Sequence, residues 1–199
     1  MYPRAHNILF NMTGDPVNEM IDRVHTPAHP KDSGGSTVTA ISARVPELPF
    51  ALFAPLLHFP WEMLQAPLWV DMANLSHAEE VRACTIGAFG DVVIALAAYW
   101  SGSLAAPSRL WLLDPPRAAS ITYLLVGLVR TIAYEFAATG PLAFWEYAPS
   151  QPRLPVLGTG LAPVFQWLLL PPIILWLTRI HVLGLISERP TRVRANAKC

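Results

Sequence analysis

Residues 161 to 186 read LAPVFQWLLLPPIILWLTRIHVLGLI and hold a single formally charged side chain, Arg179. At 1.5 Å per residue a helix of this length reaches roughly 39 Å, more than the ~30 Å hydrocarbon core of a bilayer. Three further segments of the same character precede it, at about 47–70, 82–106 and 119–138. Each approaches the ~20 residues that a spanning helix needs. The expected fold is therefore all-α, a four-helix transmembrane bundle over residues 47–186. A polar, disordered N-terminal tail over 1–46 and a short basic tail over 187–199 complete the expected organisation, both on the cytoplasmic side.

Composition supports this reading and excludes others. Of 199 residues 53% are hydrophobic and 14% charged, against roughly a quarter charged in an ordinary soluble domain. The 14 basic and 14 acidic side chains cancel, and no basic stripe with interleaved aromatics is present, so nucleic acid is not an expected partner. The expected partner is the lipid bilayer, with a second copy or a membrane complex as the protein partner. Cys84 lies inside an apolar run and Cys199 is the last residue, which gives neither a disulfide framework nor a zinc spacing. Nothing in the sequence names a cofactor.

The joints between segments carry helix-start signals. Ser76 followed by Glu79 is a capping-box pattern that starts the second helix near His77. Asp114 before Pro115 and Pro116 reads as the cap of the third, and Thr159 as the cap of the fourth with Pro163 in its first turn. Arginines at 44, 109, 117, 179, 189, 192 and 194 and Lys198 gather at one side of the expected bundle, against Arg82 and Arg153 at the other. The positive-inside rule then puts both termini in the cytoplasm of a multi-pass protein, with a bacterial inner membrane as the expected location. Trp69, Trp100, Trp111, Trp145 and Tyr147 near the segment ends are expected at the interfaces.

Polar side chains inside the apolar segments need an explanation, because a charge near the bilayer centre costs about 3 kcal/mol even on lenient scales. They are His58, Glu62 and Gln65, then Asp91, then Arg130 and Glu135, then Gln166. Helical spacing places His58, Glu62 and Gln65 on one stripe with Ala51, Pro55, Ala66 and Trp69. Asp91 shares its face with Cys84, Gly87, Ala88, Ile94, Ala95, Ala98 and Gly102, mostly small residues that let helices approach, while Ile86, Phe89, Val93, Leu96 and Trp100 lie opposite. Arg130 shares its face with Tyr123, Gly127, Ala133, Tyr134 and Ala137. Glu62, Asp91 and Arg130 fall roughly 12 to 14 Å inside their helix ends, so Arg130 is expected to pair with Asp91 or with Glu62. Glu135 is expected near the interface, at the margin of the cluster.

Two readings of this cluster compete. In the first it is architectural, a buried polar network that fixes helix register in a structural or accessory membrane subunit. In the second it lines a polar cavity in which a surplus carboxylate carries protons, binds a cation or acts as an acid, as in a small oligomeric proton-linked transporter or an intramembrane enzyme acting on a lipid or apolar substrate. A metal site at His58, Glu62 and Asp91 is not expected, since only one histidine is well placed and Arg130 would repel a cation.

The set PWEMLQAPL (60–68), AFGDVVI (88–94) and WEYAPSQPRLPVLGTGLAPVFQWLLLPP (145–172) resembles small multi-pass bacterial membrane proteins of uncharacterised activity, over about residues 46 to 180. The resemblance implies a membrane location and carries no activity. The Pro-x-Glu and Trp-x-Tyr pieces are also superficially similar to membrane-embedded carotenoid cyclases, but Pro60-Trp61-Glu62-Met63 lacks their paired acidic motif, and that activity is not carried over.

Overall fold

The computed structural model describes residue 41 and residues 44 to 187, so the expectations about the two tails fall almost wholly outside the described residues. The described residues are all-helical. Their four long helices are α1 (Glu47–Gln65), α2 (His77–Leu104), α3 (Arg117–Thr139) and α4 (Leu161–Ser187). Each packs against two others, α1 on α2 and α4, and α3 on α2 and α4, closing a ring.

Three of these helices, α2, α3 and α4, are long and apolar enough to cross a membrane. The 19 residues of α1 do not reach that hydropathy, because they include Glu47, His58, Glu62 and Gln65. Pro55 and Pro60 lie inside α1. The outward side chains are nonetheless apolar on every helix: Leu52, Leu56 and Leu64 on α1, Phe89 and Val93 on α2, Leu125 and Val129 on α3, Leu168 and Trp176 on α4. Large apolar side chains exposed on all four helices suit lipid rather than water.

The helix starts show which local signals hold. Ser76 is extended (ψ 156°) and forms the full capping box with Glu79, whose Oε2 accepts from the Ser76 amide at 2.8 Å and from its hydroxyl at 2.6 Å. The third helix begins later than Asp114 suggests: its cap is Pro116 (ψ 142°), since a proline forces the residue before it to be extended. Thr159 does not cap the fourth. Its hydroxyl is buried without a partner among the described residues, and the Leu161 amide donates instead to the Pro152 carbonyl at 2.8 Å.

The two ends of the ring differ. At one end, here the capped end, the α1–α2 loop and the α3–α4 loop pair through Val70 N–H to Glu146 O (3.0 Å) and Ala148 N–H to Leu68 O (2.9 Å). The other end is filled by an aromatic plug. Phe50 meets Tyr99 (5.2 Å between centroids), Tyr99 stacks on Trp111 (5.3 Å), and Trp111 meets Tyr123 (6.0 Å). Gly102 makes room for this plug, because a Cβ there would stand 2.8 Å from the Trp111 ring and 3.1 Å from the Ala119 carbonyl. The Tyr99 hydroxyl donates to Arg109 O (2.8 Å), Trp111 Nε1 to Ser103 Oγ (3.0 Å), and Arg179 Nε to Leu113 O (3.0 Å). Trp111 and Tyr147 thus lie buried in the protein, whereas the sequence reading expects them at the interfaces; Trp100 does stand exposed. The ring's own geometry supplies partners for their polar atoms, which an interface would otherwise supply.

Candidate functional site

Toward the capped end of the ring, four polar side chains gather on the amide of a fifth. Gln166 of α4 is 2% exposed, and its Nε2 lies 2.6 Å from Asp91 Oδ2, 2.9 Å from His58 Nδ1 and 3.1 Å from Glu62 Oε1. Gln65 Nε2 donates to Glu62 Oε1 at 2.8 Å, and Trp61 Nε1 donates to Gln65 Oε1 at 3.1 Å. His58 is fully buried, with Nδ1 3.1 Å from Asp91 Oδ2, an ion pair when the imidazole is protonated and a neutral hydrogen bond otherwise.

An amide nitrogen has two protons, so Gln166 cannot serve all three neighbours at once. If His58 Nδ1 carries its proton toward Asp91, Gln166 is free to donate to Asp91 and Glu62. His58 Nε2 then remains a buried lone pair with no partner among the described residues. The place that a cation would take between His58, Glu62 and Asp91 is filled by the Gln166 nitrogen itself. The cluster ties α1, α2 and α4 together; of the three residues expected at one depth it joins Glu62 and Asp91 and leaves out Arg130.

Above this knot, toward the capped end, a cavity of about 780 Å³ opens between α1, α2 and α3. Glu62, Gln65, Asp91 and Gln166 form its floor, and Arg130, Thr131, Tyr134 and Glu135 its α3 wall. Ala83, Gly87 and Gly90 line the α2 side, and the missing Cβ of Gly87 lets Glu62 Oε2 approach, since an added one would stand 3.0 Å away. Exposed residues also border the cavity, among them Ile86, Val93, Tyr134 and Phe144. The cleft therefore opens sideways between the halves of α2 and α3 nearer the capped end.

The sequence reading and the structure part company on α3. Its buried stripe is Ala119, Tyr123, Gly127, Thr131, Glu135 and Ala138, and Trp167 lies over Gly127. From Gly127 the inward line continues at i+4 to Thr131 and Glu135, whereas spacing alone permits i+3 to Arg130 and Tyr134 equally well. Arg130 is consequently exposed, with no ion pair within 4.0 Å among the described residues. Glu135, expected at the margin, is 7% exposed and accepts a short hydrogen bond from the Tyr147 hydroxyl. Arg153 braces that tyrosine, donating to its carbonyl at 3.1 Å and lying 5.2 Å from its ring centroid. Burial, then the Glu135 carboxylate, raises the Tyr147 phenol above its ordinary range and keeps it a proton donor.

Side chains outside the polar set expected from the sequence complete the cleft. Thr131 is 5% exposed, and its hydroxyl has no partner among the described residues, unlike those of Thr85, Thr139 and Thr178, which bond the carbonyl four residues back. Trp145 Nε1 is likewise unpartnered. Its ring packs edge-on against Tyr134 (5.6 Å) and beside Phe144 (6.2 Å), and all three border the cavity. Ala143, at φ 47°, turns this pair of aromatics into place; the left-handed backbone costs a non-glycine residue roughly 1 to 2 kcal/mol. No sequence signal marks Thr131, because a helical threonine ordinarily satisfies its own hydroxyl. Comparison with family models, with curated proteins and with solved structures gives no match.

Proposed function

We propose that this chain is a multi-pass membrane protein whose cleft takes up the polar end of an amphiphilic small molecule, with Glu62 and Asp91 as the groups that meet it. One observation carries the reading: the acidic cavity opens sideways, where exposed side chains of α2 and α3 border it. Its floor is the Gln166 knot, and beneath that lies the aromatic plug of Phe50, Tyr99, Trp111 and Tyr123. A site open on one side suits binding, or acid–base work on a bound head group, in which a carboxyl group gives or takes a proton. It does not suit a conduit through a single chain. A lateral mouth bordered by Ile86 and Val93 suits an apolar tail that stays in lipid.

The architectural reading keeps one observation of its own, the Gln166 amide bonded to groups from two other helices. The two readings make opposite demands on Asp91→Asn and Glu62→Gln. Native mass spectrometry of the protein in lipid nanodiscs should show a retained small molecule that both variants lose while staying folded. Wild-type protein that carries nothing, with variants that change only stability, would leave the architectural reading in place. The arginine asymmetry supports cytoplasmic termini and hence a cleft that faces away from the cytoplasm, in a bacterial inner membrane. Cysteines placed at Asn74 and Ser150, both exposed, should label from outside intact cells and one at Ser108 should not.

A further inference from the structure

Resting on that reading of the cleft, we infer that the head group it selects is an organic ammonium. Three features of the wall point to this chemistry. The first is charge: Glu62, Asp71, Asp91 and Glu135 border the cavity against Arg130 as the one basic group there among the described residues, and Arg130 stands on the exposed flank of α3. The second is the aromatic lining. On the α3 side the Trp145 ring lies 5.6 Å from that of Tyr134 and 6.2 Å from that of Phe144, and Trp69 lines the α1 side. Aromatic faces attract alkylated ammonium ions through the ring quadrupole, and best where water is excluded. The third is the unsatisfied hydroxyl of Thr131, buried in the same wall beside Glu135 and lacking a partner among the described residues. It is an oriented acceptor that a head group bearing an N–H, or a water carried with it, can use.

An inorganic cation fits less well. The position ringed by His58, Glu62 and Asp91 is occupied by the Gln166 nitrogen, and the remaining wall is carbon-rich. An alkylammonium uses both parts of the site. Its charged head lies between the carboxylates and the rings, and its chain leaves between α2 and α3 past Gly90, where an added Cβ would meet no atom within 4 Å.

The test is binding of three six-carbon amphiphiles, hexyltrimethylammonium, hexyl sulfate and hexanol, to the full-length protein in zwitterionic-lipid nanodiscs, read by quenching of tryptophan fluorescence and by calorimetry. The expected order is hexyltrimethylammonium at least tenfold tighter than the other two. Trp145→Leu and Glu135→Gln should each weaken the ammonium at least fivefold and leave hexanol unchanged, while Trp100→Leu, on the lipid-facing surface, should change neither. Should Glu135→Gln fail to fold, the order among the three probes on the wild-type protein decides alone. Equal or tighter binding of hexyl sulfate or hexanol would overturn the ammonium assignment and leave the cleft a binding site. Failure of all three to bind would overturn both.

Discussion

Replacement of Gln166 by leucine is the sharpest test of how the bundle is held together. The substitution puts a branched alkyl group one carbon shorter in place of the amide and removes the one donor that faces Asp91, Glu62 and His58 at 2.6, 3.1 and 2.9 Å. Only two of these bonds can form at a time, because the amide has two protons. A hydrogen bond to a charged group contributes about 1.5 to 3 kcal/mol, and a buried polar atom left without a partner costs a similar amount. Two lost bonds therefore predict a destabilisation of about 3 to 6 kcal/mol. The gain from the added apolar surface is small, because the residue is already 98% removed from solvent and its new neighbours are polar. For a chain of this size each kcal/mol shifts the midpoint by about 2 to 4 °C, so Tm should fall by roughly 6 °C or more. Thermal unfolding in detergent, followed by tryptophan fluorescence and by loss of monodisperse protein, measures it. A midpoint within a degree of wild type would refute the reasoning, since it would mean that the amide is not bonded to the carboxylates.

Four further predictions follow from other parts of the structure. Gly127→Ala puts a methyl group into the face of Trp167 and should destabilise by about 1 to 3 kcal/mol, the usual cost of overpacking, measured by the same unfolding assay. Tyr147→Phe removes the hydroxyl bonded to buried Glu135 and should cost about 1 to 3 kcal/mol. Because the folded state holds the Tyr147 proton above its ordinary pKa of about 10, wild-type stability should be complete below that pH and fall above it, with a smaller fall in the phenylalanine variant. Asp91→Asn and Arg130→Gln should be additive to within about 0.5 kcal/mol, as for residues without a shared interaction; a coupling above about 1 kcal/mol would restore the pair that the sequence suggests.

The parts of this architecture legible in the sequence are those governed by local physics. Apolar run length identifies four helices, and the Ser76–Glu79 capping box marks the start of α2 at His77. The small-residue stripe of α2 also emerges correctly, with Cys84, Ala88, Ala95, Ala98 and Gly102 buried and Ile86, Phe89, Val93 and Trp100 exposed. What stays hidden depends on crossing geometry. On α3 the choice between an i+3 and an i+4 line from Gly127 decides whether Arg130 or Glu135 faces inward, and periodicity alone does not decide it. The partner of Glu135 is hidden for a second reason: Tyr147 reaches it from a loop whose path is set by pairing with the α1–α2 loop. The convergence of Gln166 on His58, Glu62 and Asp91 needs three helices in register, so the sequence yields its members and not its centre.

The central claim is a water-accessible cleft above a sealed plug, and cysteine accessibility measures it most directly. In a Cys84→Ala, Cys199→Ser background reconstituted in nanodiscs, cysteines at Thr131 and Gly90 line the cleft, and one at Ala98 lies fully buried at the level of the plug. A membrane-impermeant thiol reagent should modify the cysteines at positions 131 and 90 at rates well above that at position 98, and hexyltrimethylammonium should slow the reaction at 131. Equal protection at all three positions would contradict the account, because the cavity would then be closed to water and the acidic residues would be only a packed network.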